Sequence, residues 1–316
     1  MQNLNFIALD CEWANNDKDV CEIGITKVVK GEINDSKKWF ICPLTNDTSL
    51  LGTDKCKVSE YDLYDAPIFF EIWDEIVSHI KDNVIICHNA KSADMDCLVK
   101  MLYKYKICNI PDLTVLCSCK FAHDIGHQTT TLSVLCSDYN IVQNCHHEAM
   151  DDTISCAKVF IECYKKSQKT FNEIVENSGK SLKDYYYERI DSLNPSKCIN
   201  INVSDINPKC NSPIFEGIKF CATGKEFRYG KFLTHRIIHK LGGQIQNVKK
   251  IKKRDLPDVI VYSAGCENSG KVEDGKKWGV KQIISEEELF EYIRMNKTPE
   301  IYKEETYKEF DLFNFI

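Results

Sequence analysis

Three β-like runs fall within the first 42 residues, at 5–10 (NFIALD), 20–29 (VCEIGITKVV) and around 38–42. A Lys30-Gly31 turn lies between the second and the third. The pattern then changes. After a polar, irregular stretch at 44–66, helical spacing over 67–80 offers Phe70, Ile72, Ile76 and Ile80 to a core. A short buried strand at 83–87 precedes a helix over 93–105. Residues 115–122 read as strand or helix, 131–139 as a helix and 148–164 as a strong helix. Antiparallel strands followed by alternating helices and strands predict an α/β domain with a mixed sheet.

A second pattern follows. Helices at 171–177 and 182–190 lead into a polar stretch with Pro195, Pro208 and Pro213. Beyond it, β-α-β-β-α-β-α is expected over about 80 residues. The strands are predicted at 219–223, 244–248, 259–262 and 282–284, and the helices at 229–241, 272–278 and 286–293. The expected organisation is a domain at 1–166, a helical extension and linker at 167–212, a second domain at 213–294 and a tail at 295–316. The tail ends in Phe-Asp-Leu-Phe-Asn-Phe-Ile, whose aromatics suit either a partner or the protein's own surface.

Charge divides the same way. Residues 1–166 hold 16 Lys and no Arg against 25 acids, whereas 213–293 hold 15 Lys and Arg against 11 acids. An acidic module and a basic one have different electrostatic tasks, and an acidic module that handles a polyanion needs metal ions to mask its charge. At 43% hydrophobic residues the chain can build ordinary cores, which excludes a disordered protein. No apolar run approaches the ~18–20 residues of a membrane span, and the opening MQNLNFIALDCEW has no basic n-region or cleavage site. Seventeen scattered cysteines, odd in number, read as buried thiols of a reducing compartment: cytoplasmic, or nuclear in a eukaryote. A zinc site at Cys117, Cys119, His123 and His127 is the rival reading, with a Cys pair too closely spaced for a usual knuckle.

Three places carry chemistry. Asp10-Cys11-Glu12 ends the first strand, and alternation lets both carboxylates reach one point. His88-Asn-Ala-Lys-Ser-Ala-Asp94 links a strand to a helix, and His146-His-Glu-Ala-Met-Asp-Asp152 opens the last long helix of the first domain. Convergent carboxylates of this kind hold two divalent cations, and a histidine beside them can take a proton from water. Helix phase puts Asp94 with Leu98 and Met101 at a buried edge, and Asp96 with Lys100 in solvent. It likewise sets Asp152 with Ala149, Cys156 and Val159, and Asp151 with Ser155 and Lys158.

ALDCEW, CHNAKSADMDCL and HHEAMDD resemble the three motifs of the DEDDh 3′→5′ exonuclease family, over roughly residues 4–166. The resemblance implies an RNase-H-like mixed-sheet domain. It also implies two Mg²⁺ or Mn²⁺ ions held by Asp10, Glu12, Asp94 and Asp152, with His147 as general base; His146 lies one place off the family spacing. Trp13 stands where relatives have a smaller residue, and suits either stacking on a terminal base or core packing. One extra residue separates His88 from Asp94, no aromatic precedes Asp94, and 45–66 lacks an H-G-I stretch.

Residues 213–294 resemble a BRCT domain through FEGIKFCATG, Gly242-Gly243, Ser269-Gly-Lys271 and WGVKQIISEE, with Phe290 or Tyr292 in place of the usual tryptophan. The resemblance implies a small α/β fold with a parallel sheet. Thr223, Gly224 and Lys271 offer a hydroxyl, an open N–H and a cation to a phosphate. Lys249, Lys250, Lys252, Lys253 and Arg254 are candidates for non-specific contact with nucleic-acid phosphates. The expected function is hydrolysis of DNA from its 3′ end, with the second module docking on DNA or on a polymerase or repair complex, and no membrane partner. An RNA 3′ exonuclease and an inactive nuclease carrying a BRCT binding module are the alternatives.

Overall fold

The computed structural model describes residues 1–195, 198 and 213–299. The chain divides into two compact units, Met1–Asn200 and Ile201–Ile316. Most of the expected linker (196–197 and 199–212) and the aromatic tail from 300 lie outside the described residues.

In the first unit β1 (Phe6–Trp13), β2 (Val20–Val29) and β3 (Glu32–Phe40) form an antiparallel meander. Next come α1 (Glu60–Leu63), α2 (Phe69–Ile80), β4 (Ile85–Cys87), α3 (Asp94–Lys104), β5 (Thr114–Cys117) and α4 (Ser118–Asp124). The unit continues through α5 (Leu132–Asp138), α6 (Ala149–Lys166), α7 (Phe171–Ser178), β6 (Lys180–Ser181) and α8 (Leu182–Ile190). The sheet order is β3-β2-β1-β4-β5-β6, with β1, β4 and β5 parallel and both edges antiparallel. This is the expected mixed sheet. Helix α6 buries Cys156, Val159 and Phe160 in a core that includes Phe6, Phe121 and Phe171. Phe160 meets Phe6 edge-on at 5.2 Å, a preferred aromatic geometry.

Two local expectations need correction, and two further details come from the structure. The third strand starts at Glu32, straight after the turn; its first four residues are exposed, so no apolar alternation marks it. Phe70 is 51% exposed, because the buried stripe of α2 runs through Phe69, Ile72, Trp73, Ile76 and Ile80. Residues 115–122 are strand and then helix, joined without a loop at Cys117/Ser118. The pair Lys180–Ser181, unmarked in the sequence, adds an edge strand to β5.

The second unit contains β7 (Lys219–Thr223), α9 (Lys231–Lys240), β8 (Gln244–Ile245), β9 (Val259–Tyr262), α10 (Gly270–Trp278), β10 (Gln282–Ser285) and α11 (Glu286–Arg294). Its four strands are all parallel, in the order β10-β9-β7-β8. Phe290 is 1% exposed and meets Tyr229 edge-on, so it, rather than Tyr292, fills the core at that point of α11. Among the described residues no helix is long and apolar enough to cross a membrane.

Candidate active site

Strand β1 runs past Asp10 and Glu12 to Trp13, so both acids project from within the strand and not from its end. Next to it, β4 leads through His88 and a turn at Asn89 (φ 60°) into α3, whose first residue is Asp94. Helix α6 brings Asp152 in its first turn. One oxygen from each of Asp10, Glu12 and Asp152 lies within 4.8 Å of the others. Asp94 is tied to the same strand, since its Oδ1 accepts the Cys11 N–H at 3.0 Å. His147 Nδ1 is 3.9 Å from Glu12 Oε1, and its backbone N–H donates to Asp152 Oδ2 at 3.0 Å.

Glu12, Asp94 and Asp152 are buried and Asp10 is half-buried. Burial, then the neighbouring Asp94 and Glu12, pushes the Asp10 carboxyl well above the usual range. Burial also carries Glu12 to about 9 and Asp94 to about 7. Asp10 Oδ2 and Asp94 Oδ2 are buried without a hydrogen-bond partner. Hard oxygen donors packed this closely, with orphaned atoms and too little positive charge, fit divalent cations of the Mg²⁺ or Mn²⁺ kind. Burial, reinforced by His146, lowers the His147 pKa and keeps its ring neutral near pH 7.

The entry to α6 is held by residues that the motifs did not mark. Glu22 faces Glu12 across β1 and β2, and its Oε2 accepts the Ala149 N–H at 3.0 Å. Lys38 on β3 pairs with Glu22 at 3.0 Å and with Glu148, the N-cap of α6. Gly24 permits the approach: a Cβ there would lie 2.6 Å from the Ala149 backbone. A lone acid in VCEIGITKVV, at a position that the structure buries, was the available signal for Glu22. Gln143 and His146, in the loop before α6, also reach Asp152 Oδ1, the latter at 3.2 Å. His147 adopts φ 64°, which turns its N–H onto Asp152 while its carbonyl accepts Lys57 N–H.

Two neighbouring acids do other work. Asp96 is not solvated; it is a partly buried hub that binds Lys18, Lys100 and Arg189 at 2.9–3.3 Å. A long-range arginine and lysine, invisible to helix phase, cover it. Asp151 accepts the N–H groups of Asn144 and Cys145 and so fixes the loop that carries the two histidines. Trp13 is half-buried and lines the same cleft as Asp10, Glu12, His88, His147 and Asp152, with Lys18 5.4 Å from its ring centroid. The Cys117, Cys119, His123 and His127 set does not gather: Cys119 bonds Thr130, and His127 bonds Tyr139.

In the second unit Thr223 ends β7, its hydroxyl 3.3 Å from that of Ser269, the N-cap of α10. Gly224 has φ 131°, and a Cβ on it would collide with Ser263 Oγ at 1.9 Å. Lys271 lies in the first turn of α10. The cations Lys249, Lys250, Lys252, Lys253 and Arg254 are all exposed, while Ile251 between them is 3% exposed and anchors the loop in the core.

Residues 7–160, just under half of the chain, match the RNase_T family described as Exonuclease. The chain is 28% identical over 171 residues to the 3′-5′ exonuclease DinG of Staphylococcus epidermidis, covering 52% of this chain and 18% of that protein. It is 24% identical over 169 residues to the PolC-type DNA polymerase III of Caldanaerobacter subterraneus subsp. tengcongensis, covering 52% and 12%. The chain thus spans less than a fifth of the length of these curated relatives. Among solved structures, Exonuclease X in complex with 5′ overhanging duplex DNA is 18% identical, with a TM-score of 0.45 over 54% of this chain and 98% of that one. The nuclease domain of 3′hExo bound to rAMP is 12% identical, with a TM-score of 0.43 over 52% and 92%. The acid cluster of Asp10, Glu12 and Asp152 lies inside residues 7–160, the stretch that matches the Exonuclease family.

Proposed function

We propose that this protein is a metal-dependent 3′-5′ exonuclease that removes nucleotides from the 3′ end of DNA. The observation that carries the reading is the convergence of Asp10, Glu12 and Asp152, with Asp94 tied to the same strand and His147 at its rim. Asp10, Glu12, Asp94 and Asp152 would hold two Mg²⁺ or Mn²⁺ ions. Such ions, when bound, activate water and stabilise charge on the scissile phosphate and leaving oxygen. His147, half-exposed and neutral near pH 7, takes the proton released by the attacking water. Its left-handed backbone and the Asp152 contact fix where the ring stands. Trp13, at the cleft mouth, offers a face to the terminal base.

The domain plan belongs to this reading: catalysis at 1–166, a helical extension and linker at 167–212, and a BRCT module at 213–294 before the tail. The parallel four-stranded sheet in the order β8-β7-β9-β10 supports the BRCT reading. Thr223, Gly224 and Lys271 would receive a phosphate there, and the exposed 249–254 cations would rest on nucleic acid. That module would dock the enzyme on DNA or on a polymerase or repair complex. The described cysteines are unbridged thiols, which suits a reducing cytoplasm or nucleus. The test is digestion of 3′-labelled single-stranded DNA and a matched RNA with Mn²⁺ or EDTA, beside Asp10→Ala. Metal-dependent release of 3′ mononucleotides by the wild type alone is expected, faster from DNA. Faster release from RNA would reassign the substrate, and no release from either would leave the second module as the seat of function.

A further inference from the structure

A second groove opens off the catalytic cleft, sharing Asn89, Cys119 and Thr130 with it. One wall comes from the β4–α3 turn and α4, with Lys91, Ser92, Lys120 and His123. The other comes from Asn177, Ser178, Gly179, Lys180 and Tyr185, all beyond residue 160, where the match to the exonuclease family stops. Among the described residues no Asp or Glu lines it. That is unexpected on a domain with 25 acids against 16 lysines in its first 166 residues. Lys91 and Lys120 are exposed and form no ion pair with a described residue. Lys180 is different: it pairs with Glu188 and lies 4.4 Å from the centroid of the half-buried Tyr185 ring.

Unpaired cations, an aromatic ring and the absence of carboxylates are the parts of a single-strand track, in which lysines meet phosphates and a ring meets a base. The volume of about 760 Å³ lies within the range of ligand-sized clefts. We propose that this groove binds the nucleic-acid strand on the 5′ side of the scissile phosphate. It would thereby feed the 3′ end to the acid cluster and offset the repulsion between an acidic domain and a polyanion. The elements α7, β6 and α8 then become a working wall of the substrate path. The proposal rests on the nuclease reading for its direction, but the binding it predicts can be measured without catalysis.

The experiment is fluorescence anisotropy of a 5′-fluorescein dT12 strand against the full chain in Ca²⁺, from about 50 to 200 mM salt. Lys91→Glu/Lys120→Glu should raise Kd at least ~10-fold and flatten the plot of log Kd against log salt by about 1.4, the value expected when two single-strand phosphates are left without a cation. Tyr185→Ala should raise Kd about fivefold or more with the slope unchanged, since stacking releases no counterions. Lys27→Glu/Lys158→Glu, an equal charge change at two exposed lysines outside the groove, is the control and should leave both quantities near wild type. Equal weakening by both double variants would reduce the effect to net charge and overturn the proposal. So would a silent Lys91→Glu/Lys120→Glu pair, or a wild type that does not bind the strand. Groove-dependent binding with no hydrolysis in Mn²⁺ would count against the nuclease reading alone and leave the groove standing.

Discussion

Replacing Asp94 by asparagine should make the metal-free protein more stable while destroying its activity. The amide keeps the shape and the oxygen that accepts Cys11 N–H, but removes one negative charge from the buried cluster. Burial, with Asp152 adding to it, holds the folded carboxyl at about 7, above the ~3.9 of an unfolded chain. A carboxyl raised in this way binds more protons folded than unfolded, so its presence costs stability as pH climbs from about 4 through 7. Three units at ~1.4 kcal/mol each set a ceiling of roughly 4 kcal/mol at pH 8, and below about 1 kcal/mol at pH 4.5. With ~2–4 kcal/mol realised and ~2–4 °C per kcal/mol for a unit of this size, Asp94→Asn should melt about 4–16 °C above wild type in EDTA at pH 8. Near pH 4.5 the two curves should almost coincide. Mn²⁺ should raise the wild type more than the variant, because it binds the folded site. The assay is thermal unfolding at both pH values, with and without Mn²⁺, beside hydrolysis of a labelled strand. A variant that melts at or below wild type in EDTA at pH 8 would refute the idea that Asp94 is held against electrostatic cost for a cation.

Other expectations follow from single contacts. His147→Ala should lower turnover ~10²–10⁴-fold while thermal stabilisation by Mn²⁺ persists; a silent variant would pass the role of base to His146. Since the His147 pKa is lowered, the rate should fall on the acid side only below the usual histidine value, near 6.5, and an acid limb well above that would exclude it as the base. Gly24→Ala pushes a methyl into the Ala149 backbone and should cost about 1–3 kcal/mol in urea unfolding; an unchanged midpoint would mean that the start of α6 yields freely. Replacing the five cations at 249–254 by glutamine should flatten the salt dependence of duplex DNA binding by ~0.9 for each phosphate that no longer meets a cation, and an unchanged slope would make the loop a solvated surface.

Some parts of the fold were written in local pattern, and the parts that were not have a common cause. The apolar runs of β1 and β2 and the helical spacing of α2 and α6 are consequences of neighbouring residues, so the sequence shows them. Strand β3 begins with Glu32, Ile33, Asn34 and Asp35, all exposed, and nothing local marks them as strand; the hydrogen bonds of β2 do. Lys180–Ser181 is a strand only because β5 offers its edge. Phe70 shows the opposite error. Helical spacing counted it among the core positions with Ile72, Ile76 and Ile80, but the stripe set by Phe69, Trp73 and Ile76 leaves it outside.

The candidate site divides along the same line, and the division explains its chemistry. Motif spacing names Asp10, Glu12, Asp94, His147 and Asp152, but it is silent on what compels four acids to share one pocket against their repulsion. That work falls to residues distant in sequence. Glu22 anchors the Ala149 N–H, Lys38 joins Glu22 to the helix cap Glu148, and Gly24 leaves room for the helix to arrive. Lys38 is the cation of this support, and it sits on β3, whose first half the sequence did not mark. Asp96 follows the same logic. Its three cations come from the β1–β2 loop, its own helix and α8, so it joins the start of α3 to the far end of the unit. The cluster therefore holds its shape through ion pairs and backbone contacts around its rim, while its own acids remain short of positive charge. Cations bound among those acids would supply the positive charge that the rim does not.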